Sequence, residues 1–225
     1  MPARRTTRTT RAPARTARAP EATREKLLAA AFDEIFRNGY QAASLDAILA
    51  NTGLTKGALY HHFSDKAALG YAVVDEVVRG LTLQRWTGPL QTSTADRVTA
   101  LQSVLRGVAA ESSVRPVLVE LGCPLNNLTQ EMSPLDEKFR GRLSMTFDLW
   151  TGAFADALQR GREEGSVRAD VDPRRTADFL VASIEGTFGL AKSAKSLRVL
   201  LSNLELLIDY LEGLRARGPS PSPLP

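Results

Sequence analysis

Lys56, Tyr60, His61 and His62 lie within seven residues of one another, in the run TKGALYHHF that also holds Thr55 and Gly57. The set combines a cation, a phenol, two imidazoles, a hydroxyl and one position without a side chain. Cations and hydroxyls hold phosphate, and base edges are read by hydrogen bonds. Lys56 can donate to O6 and N7 of a guanine. Gly57 leaves the backbone free to approach a base or sugar. Thr55 and Lys56 stand where a helix would start, and its backbone N–H groups also favour an anion. Ser44 and Lys66 bound the same stretch. The bland alternatives are a half-buried Tyr60 and solvated histidines. Adjacent helical side chains point about 100° apart, so His61 and His62 do not share a metal ion well. No metal site and no cofactor is expected.

Other chemistry is sparse. Both histidines of the chain are in this run, and Cys123 is its one cysteine. No histidine neighbours Cys123, and there is no Gly-rich phosphate loop and no Cys/His cluster. Glu163 and Glu164 sit beside Arg160 and Arg162, as at a solvated helix end. An enzyme is therefore disfavoured. Pro124 disfavours helical geometry at Cys123, which leaves two local structures open. One is a kinked helix. The other is a helix that starts at Pro124 with Cys123 as its cap, where the thiol pKa would fall and a thiolate could sense electrophiles or oxidants. An inert, buried small hydrophobe is the preferred alternative.

Charge is unevenly spread. Six arginines (Arg4, Arg5, Arg8, Arg11, Arg15, Arg18) fall within residues 1–20 with no acid, so a chain of net charge +4 has a remainder of −2. This segment is expected to be a solvated basic arm, able to add phosphate contacts. A targeting helix is disfavoured, because no Leu, Ile, Val or Phe precedes Leu27 and Pro2, Pro13 and Pro20 interrupt. A single cysteine fits a reducing cytoplasm, and no apolar run is long enough to span a membrane. Residues 218–225, GPSPSPLP, form a second expected disordered tail.

From Glu21 onward the apolar residues repeat with helical period and without strand alternation, so the fold class is all-α with about nine helices. A first helix ends at Asn38-Gly39. Ser44 caps a short second helix through Ala50, Gly53 makes the turn, and Thr55 caps a third helix to about Phe63. Ile48, Leu49, Leu54, Leu59 and Phe63 face the first helix, with Ala50 small at the closest approach. Ser64 caps a fourth helix. Trp86 to Thr92 reads as a loop broken by Gly88-Pro89. Ser93 to Asp96 and Ser133 to Asp136 read as start signals for the fifth and seventh helices. The sixth spans roughly 116–132 with a break at Gly122 to Pro124. The eighth starts at Asp172-Pro173 and the ninth covers Leu197 to Leu214. The organisation expected is an arm (1–20), a three-helix unit (21–66), a larger helical body (67–217) and a tail (218–225).

The second and third helices have the dimensions of a helix-turn-helix. On the ninth helix Leu197, Leu201, Leu204, Ile208 and Leu211 form a seam, and the eighth helix adds Ile184 and Phe188. That seam serves either one subunit's core or a dimer interface. Phe147, Trp150 and Phe154 line one face of the seventh helix. With Cys123, Asn126 and Asn127 they are the candidate effector pocket, apolar with a few polar groups. Such a stripe serves a core as readily.

The run from Thr23 to Leu69 resembles the DNA-binding domain of the TetR family of bacterial repressors. The resemblance rests on NGY at the end of the first helix, then SLDAILANTGL, TKGALYHHF and SDKAAL. Lys56 to Phe63 is its most specific part, while Leu49 and Asn51 depart from the commoner residues. The resemblance implies that Ser44, Thr55, Lys56, Gly57, Tyr60, His61, His62 and Lys66 contact DNA. It also implies that the last two helices build a four-helix bundle between the subunits of a homodimer. The run from Leu121 to Arg140 resembles a TetR subset with some members that sense electrophiles through a cysteine. The expected partners are thus a double-stranded, near-palindromic operator, a second copy of the chain and a small-molecule effector. The expected function is that of a repressor released by the effector. The other readings are a repressor sensing through Cys123 and a DNA-binding protein without an effector.

Overall fold

The computed structural model describes residues 18–115 and 117–216. Most of the arm, the whole tail and the Pro116 start of the sixth helix lie outside them. Helix α1 is Arg18–Asn38, α2 is Leu45–Thr52 and α3 is Lys56–His62. A continuous helical run, 66–92, follows as α4; π-helical turns at Val73–Val78 and Leu83–Thr87 interrupt its α-helical geometry. Then come α5 (Arg97–Val114), α6 (Val117–Leu121), α7 (Pro124–Met132), α8 (Glu137–Glu163), α9 (Pro173–Ala194) and α10 (Leu197–Gly213). The nine expected helices are present, with the sixth in two pieces. Among the described residues no strand forms, and one isolated antiparallel bridge joins Val167 to Arg215.

Several boundaries differ from expectation. Residues 86–92 are helical and not a loop. Gly88 N–H bonds to the Leu83 carbonyl in a π turn, and Pro89 falls in the first turn of the next helical segment, where its missing N–H costs little. Burial of Trp86 and Leu90 draws this segment into the core. Asp65 replaces Ser64 as cap of α4: its carboxylate accepts from Ala68 N at 2.7 Å. Asp96 and Asp136 likewise cap α5 and α8 directly, without a box built on Ser93 or Ser133. In each case the acid carries charge to the helix's positive end. Ala50 is exposed, so it does not mark the α2–α3 contact.

One apolar cluster runs from Leu27 and Ile48 in the first helices to Leu211 in the last. Tyr40, after α1, meets Phe139 of α8 edge-on at 4.6 Å, and Phe139 also packs on Tyr71 of α4 at 4.8 Å. Burial pushes the Tyr40 phenol up to about 12. Gly70 lets α4 close on this pair, because a Cβ there would sit 2.5 Å from Tyr40 Cε2 and 2.8 Å from Phe139 Cζ. Polar contacts reinforce the junction. The Tyr71 hydroxyl donates to Asp136 at 2.7 Å, Arg142 pairs with Asp75 at 2.9 Å, and Arg24 pairs with Glu76. The helix-turn-helix is therefore seated on the body through packed rings.

Candidate nucleic-acid interface and effector cleft

Ser44 Oγ accepts from Asp46 N and Ala47 N, which starts α2. At its end Gly53 takes φ 66° and donates to the Leu49 carbonyl at 2.9 Å. A Cβ at Gly53 would meet nothing within 4 Å, so the backbone conformation alone selects glycine. Thr52 holds the turn, donating to Leu49 O and accepting from Leu54 N. Thr55 Oγ1 then accepts from Ala58 N at 3.2 Å and starts α3. Leu59 of α3 is fully buried, and Ile48, Leu49 and Phe63 complete the packing on α1.

The opposite face of α3 is open. Thr55, Lys56, Gly57, Tyr60 and His61 are exposed, and His62 is half-buried with its ring 5.1 Å from that of His61. Tyr60 is 52% exposed, which removes the core alternative for it. Lys56 Nζ pairs with Asp46 Oδ1 at 2.8 Å, and that hydrogen bond raises the lysine above its ordinary pKa. Lys66 departs from the group. Its ammonium donates to Gln41 O at 3.0 Å and lies over the Tyr40 ring, 4.8 Å from its centre. Two of the outward residues, Ser44 and Thr55, thus also close helix ends, and Lys66 also ties down the α1–α2 connection.

The structure splits the candidate effector residues into two groups. Asn126 and Asn127 line a cleft of about 620 Å³ between α1, α7 and α9. Phe147, Trp150 and Phe154 do not line it. Trp150 stacks on Trp86 with centroids 4.3 Å apart, Phe154 meets it edge-on, and Phe147 packs alongside. Trp150 and Phe154 are 0% and 2% exposed, so this stripe is core. Cys123 is the N-cap residue of α7, the second of the two local structures expected there. Burial, then the nearby Glu185 carboxyl, raises its pKa well above the ordinary thiol value.

Glu185 and Glu131 were not singled out from sequence. Glu185, on α9, is buried with the Cys123 thiol as its polar neighbour, and burial pushes its pKa up to about 7; a hydrogen bond from that thiol and then the Arg85 charge pull it back. Trp150 Nε1 and Ser112 Oγ are buried and have no hydrogen-bond partner among the described residues. The signal was an acid in phase with the buried Val181, Ile184 and Phe188. Glu131, on α7, accepts from Tyr40 N and Gln41 N, both at 2.8 Å. It had no local pattern, because its partners lie about 90 residues away in sequence.

Four of the seven dimer candidates face inward. Ile184, Phe188, Leu204 and Leu211 are at most 3% exposed inside one subunit, and Leu197, Leu201 and Ile208 are half-buried. The exposed apolar side chains on the same two helices are Phe179 and Leu190 of α9 and Leu206 and Tyr210 of α10. Phe179 and Tyr210 pack together at 5.1 Å, and the shallow groove between the helices is floored by Ser183 and Gly186. The seam identified from sequence is the inward face, since the strongest periodicity on a helix marks its most buried side.

Comparison with known proteins agrees with this architecture. A family described as "Bacterial regulatory proteins, tetR family" matches residues 27–73, and one described as "Tetracyclin repressor-like, C-terminal domain" matches residues 95–200. The HTH-type transcriptional repressor DhaR of Mycobacterium sp. (strain GP1) is 30% identical over 188 residues, which cover 84% of this chain and 91% of that one. Among solved structures, a TetR transcriptional regulator from Chloroflexus aurantiacus J-10-FL superposes with a TM-score of 0.78 at 29% identity, covering 89% of this chain and all of that one. The reduced form of NemR from E. coli superposes with a TM-score of 0.77 at 25% identity, covering 88% and 99%.

Proposed function

Because the chain belongs to the tetR family of bacterial regulatory proteins, we propose that it is a homodimeric transcriptional repressor that leaves its operator when a small molecule binds the body. One observation carries the DNA-binding half. The outer face of α3 presents Thr55, Lys56, Gly57, Tyr60 and His61 to solvent while its inner face is locked on α1. A 7-residue helix reads only a few base pairs, so two copies on a two-fold site are the natural solution; recognition helices then fall about 34 Å apart, one turn of duplex. The second copy is assigned to the face of Phe179, Leu190, Leu206 and Tyr210. Paired across a two-fold axis, α9 and α10 would give four helices with small residues at the closest approach. His62 and Lys66 sit at the edge of the α3 face and are assigned backbone contacts. Ser44, whose Oγ keeps its proton for donation, is assigned a phosphate.

The regulatory half follows from linkage. Effector and DNA oppose each other only if the effector favours an arrangement in which the two α3 helices do not match the half-site spacing. A thiol-based release through Cys123 is disfavoured by the raised pKa and the burial. The test is selection of binding sites from random duplexes, followed by affinity measurement on the winner. A repressor should prefer its operator over scrambled DNA by at least about 10³-fold at physiological salt. Salt-sensitive binding without such preference would instead indicate a general DNA-coating protein.

A further inference from the structure

The cleft between α1, α7 and α9 is of drug-ligand size, about 620 Å³. Part of its lining is apolar: Phe32 and Phe36, one turn apart on α1, stack with centroids 5.5 Å apart at 19°. The rest is polar, with two cations, Arg37 on α1 and Lys192 on α9, against one carboxylate, Glu131. That carboxylate is already engaged, because both oxygens accept backbone N–H groups at 2.8 Å. Lys192 gives a single hydrogen bond to Asn127 Oδ1 at 3.2 Å and makes no ion pair among the described residues. Arg37 gives its Nε–H to Asp33 at 3.0 Å, which leaves the two terminal amino groups of the guanidinium. Arg37 thus shares its charge with Asp33 and Glu131 keeps its own, so what the cleft offers an anion is the Lys192 ammonium, without an ion pair among the described residues, and the free amino groups of Arg37, beside an aromatic shelf.

We propose that this cleft is the effector site and that it takes a small organic acid, an aryl or alkyl group bearing one carboxylate. The apolar group lies on Phe32 and Phe36, and the carboxylate is held by Lys192 and Arg37. The carbonyl end of α1 and the Glu131 carboxylate oppose an anion; the Lys192 ammonium and the free amino groups of Arg37 are the donors that offset them. This rests on the repressor reading above and adds to it a location, a ligand class and a route. The route is short. Phe32, Phe36 and Arg37 lie on the helix that carries α2 and α3, while Lys192 lies on the body. Between them Glu131 clamps Tyr40 and Gln41, directly after the end of α1. A bound acid fixes the spacing of α1 from α7 and α9, so any operator-bound arrangement with another spacing is disfavoured.

The test uses the full chain and three probes: 4-phenylbutyrate, octanoate and 4-phenylbutylamine, the last sharing its apolar body with the first but reversing the charge. Calorimetry without DNA and anisotropy on the selected operator are read in parallel. Either carboxylate should bind and lower operator affinity by about 5- to 150-fold, the usual range of such coupling; the amine should do neither. The Lys192→Gln chain should bind operator like the parent, since Lys192 is exposed and far from α3's outer face in sequence and element, but lose the response. Binding of the amine as tightly as the acid overturns the proposal, as does binding of neither acid to a chain that recognises its operator. An acid that binds but leaves operator affinity unchanged overturns the regulatory route. Absence of operator preference before any probe is added is a failure of the repressor reading itself.

Discussion

Lys56 Nζ lies 2.8 Å from Asp46 Oδ1, so the one lysine of α3, on the face proposed to meet DNA, is already paired with a carboxylate from α2. Both side chains are largely exposed, and such a pair adds little to stability. On the proposed recognition face its consequence would be for selectivity: Asp46 would fix where the ammonium stands and repel phosphates that come too near. Asp46→Asn is expected to raise affinity for all DNA and to lower the ratio of operator to scrambled binding. Anisotropy on both duplexes at two salt concentrations measures this, and an unchanged ratio would mean that the pair is incidental. Lys56→Ala should cost about 5- to 150-fold on operator if Lys56 reads a base edge, whereas an equal loss on every duplex would assign it to phosphate.

Gly70 stands where α4 meets Tyr40 and Phe139. Those two rings already pack edge-on, so neither can step aside for a Cβ at 2.5–2.8 Å. Gly70→Ala is expected to lower stability by about 1–3 kcal/mol, despite alanine's better helix propensity, because overpacking outweighs it. Chemical denaturation followed by circular dichroism measures the change. A gain in stability would show that the junction is looser than its contacts indicate.

Glu185 predicts a pH dependence. Its folded pKa of about 7 exceeds the ordinary carboxyl value of 4.5, so the native state holds the proton more tightly in between. Stability from this group is fully present below pH 4.5, falls as pH rises toward 7 and levels off above. The loss is at most ~3 kcal/mol, from 1.36 kcal/mol per pKa unit. Glu185→Gln should therefore flatten the stability profile across this window and melt higher than the parent at pH 8. A Tm difference between the two chains that does not change from pH 5 to pH 8 would place the titration elsewhere.

Leu206 is 66% exposed on α10, on the face assigned to the second copy. Leu206→Glu should leave the subunit folded and shift the chain to monomer in sedimentation velocity, with loss of operator binding. Leu204→Glu should instead unfold it, because Leu204 is 1% exposed. A Leu206→Glu chain that still sediments as a dimer would move the interface to another face.

The helices were legible because their apolar periodicity is local. The helix-turn-helix was legible down to its caps, since Ser44, Gly53 and Thr55 act within three or four residues of where they stand. Phase and partnership were not. The seam of Leu204 and Leu211 gave no means of separating one subunit's core from an interface, and the large exposed apolar side chains of these two helices lie on the opposite face. The loop expected at Gly88-Pro89 failed because a π turn shifted the hydrogen-bond register by one residue just before the proline. Phe147, Trp150 and Phe154 were misplaced because Trp86, which fills the space beside them, was assigned to that same loop. Glu131 and Glu185 act across contacts that sequence spacing does not encode.

The unbroken apolar cluster from α1 to α10 has a practical consequence for engineering. Cutting the chain at Lys66 would expose Tyr40, Leu69 and the ring of Phe139 together, so the first three helices are not a transplantable cassette. Rewriting which operator this protein reads is better done by changing the outward residues of α3 in place. Its inward side, and everything stacked beneath, is shared property of the whole chain.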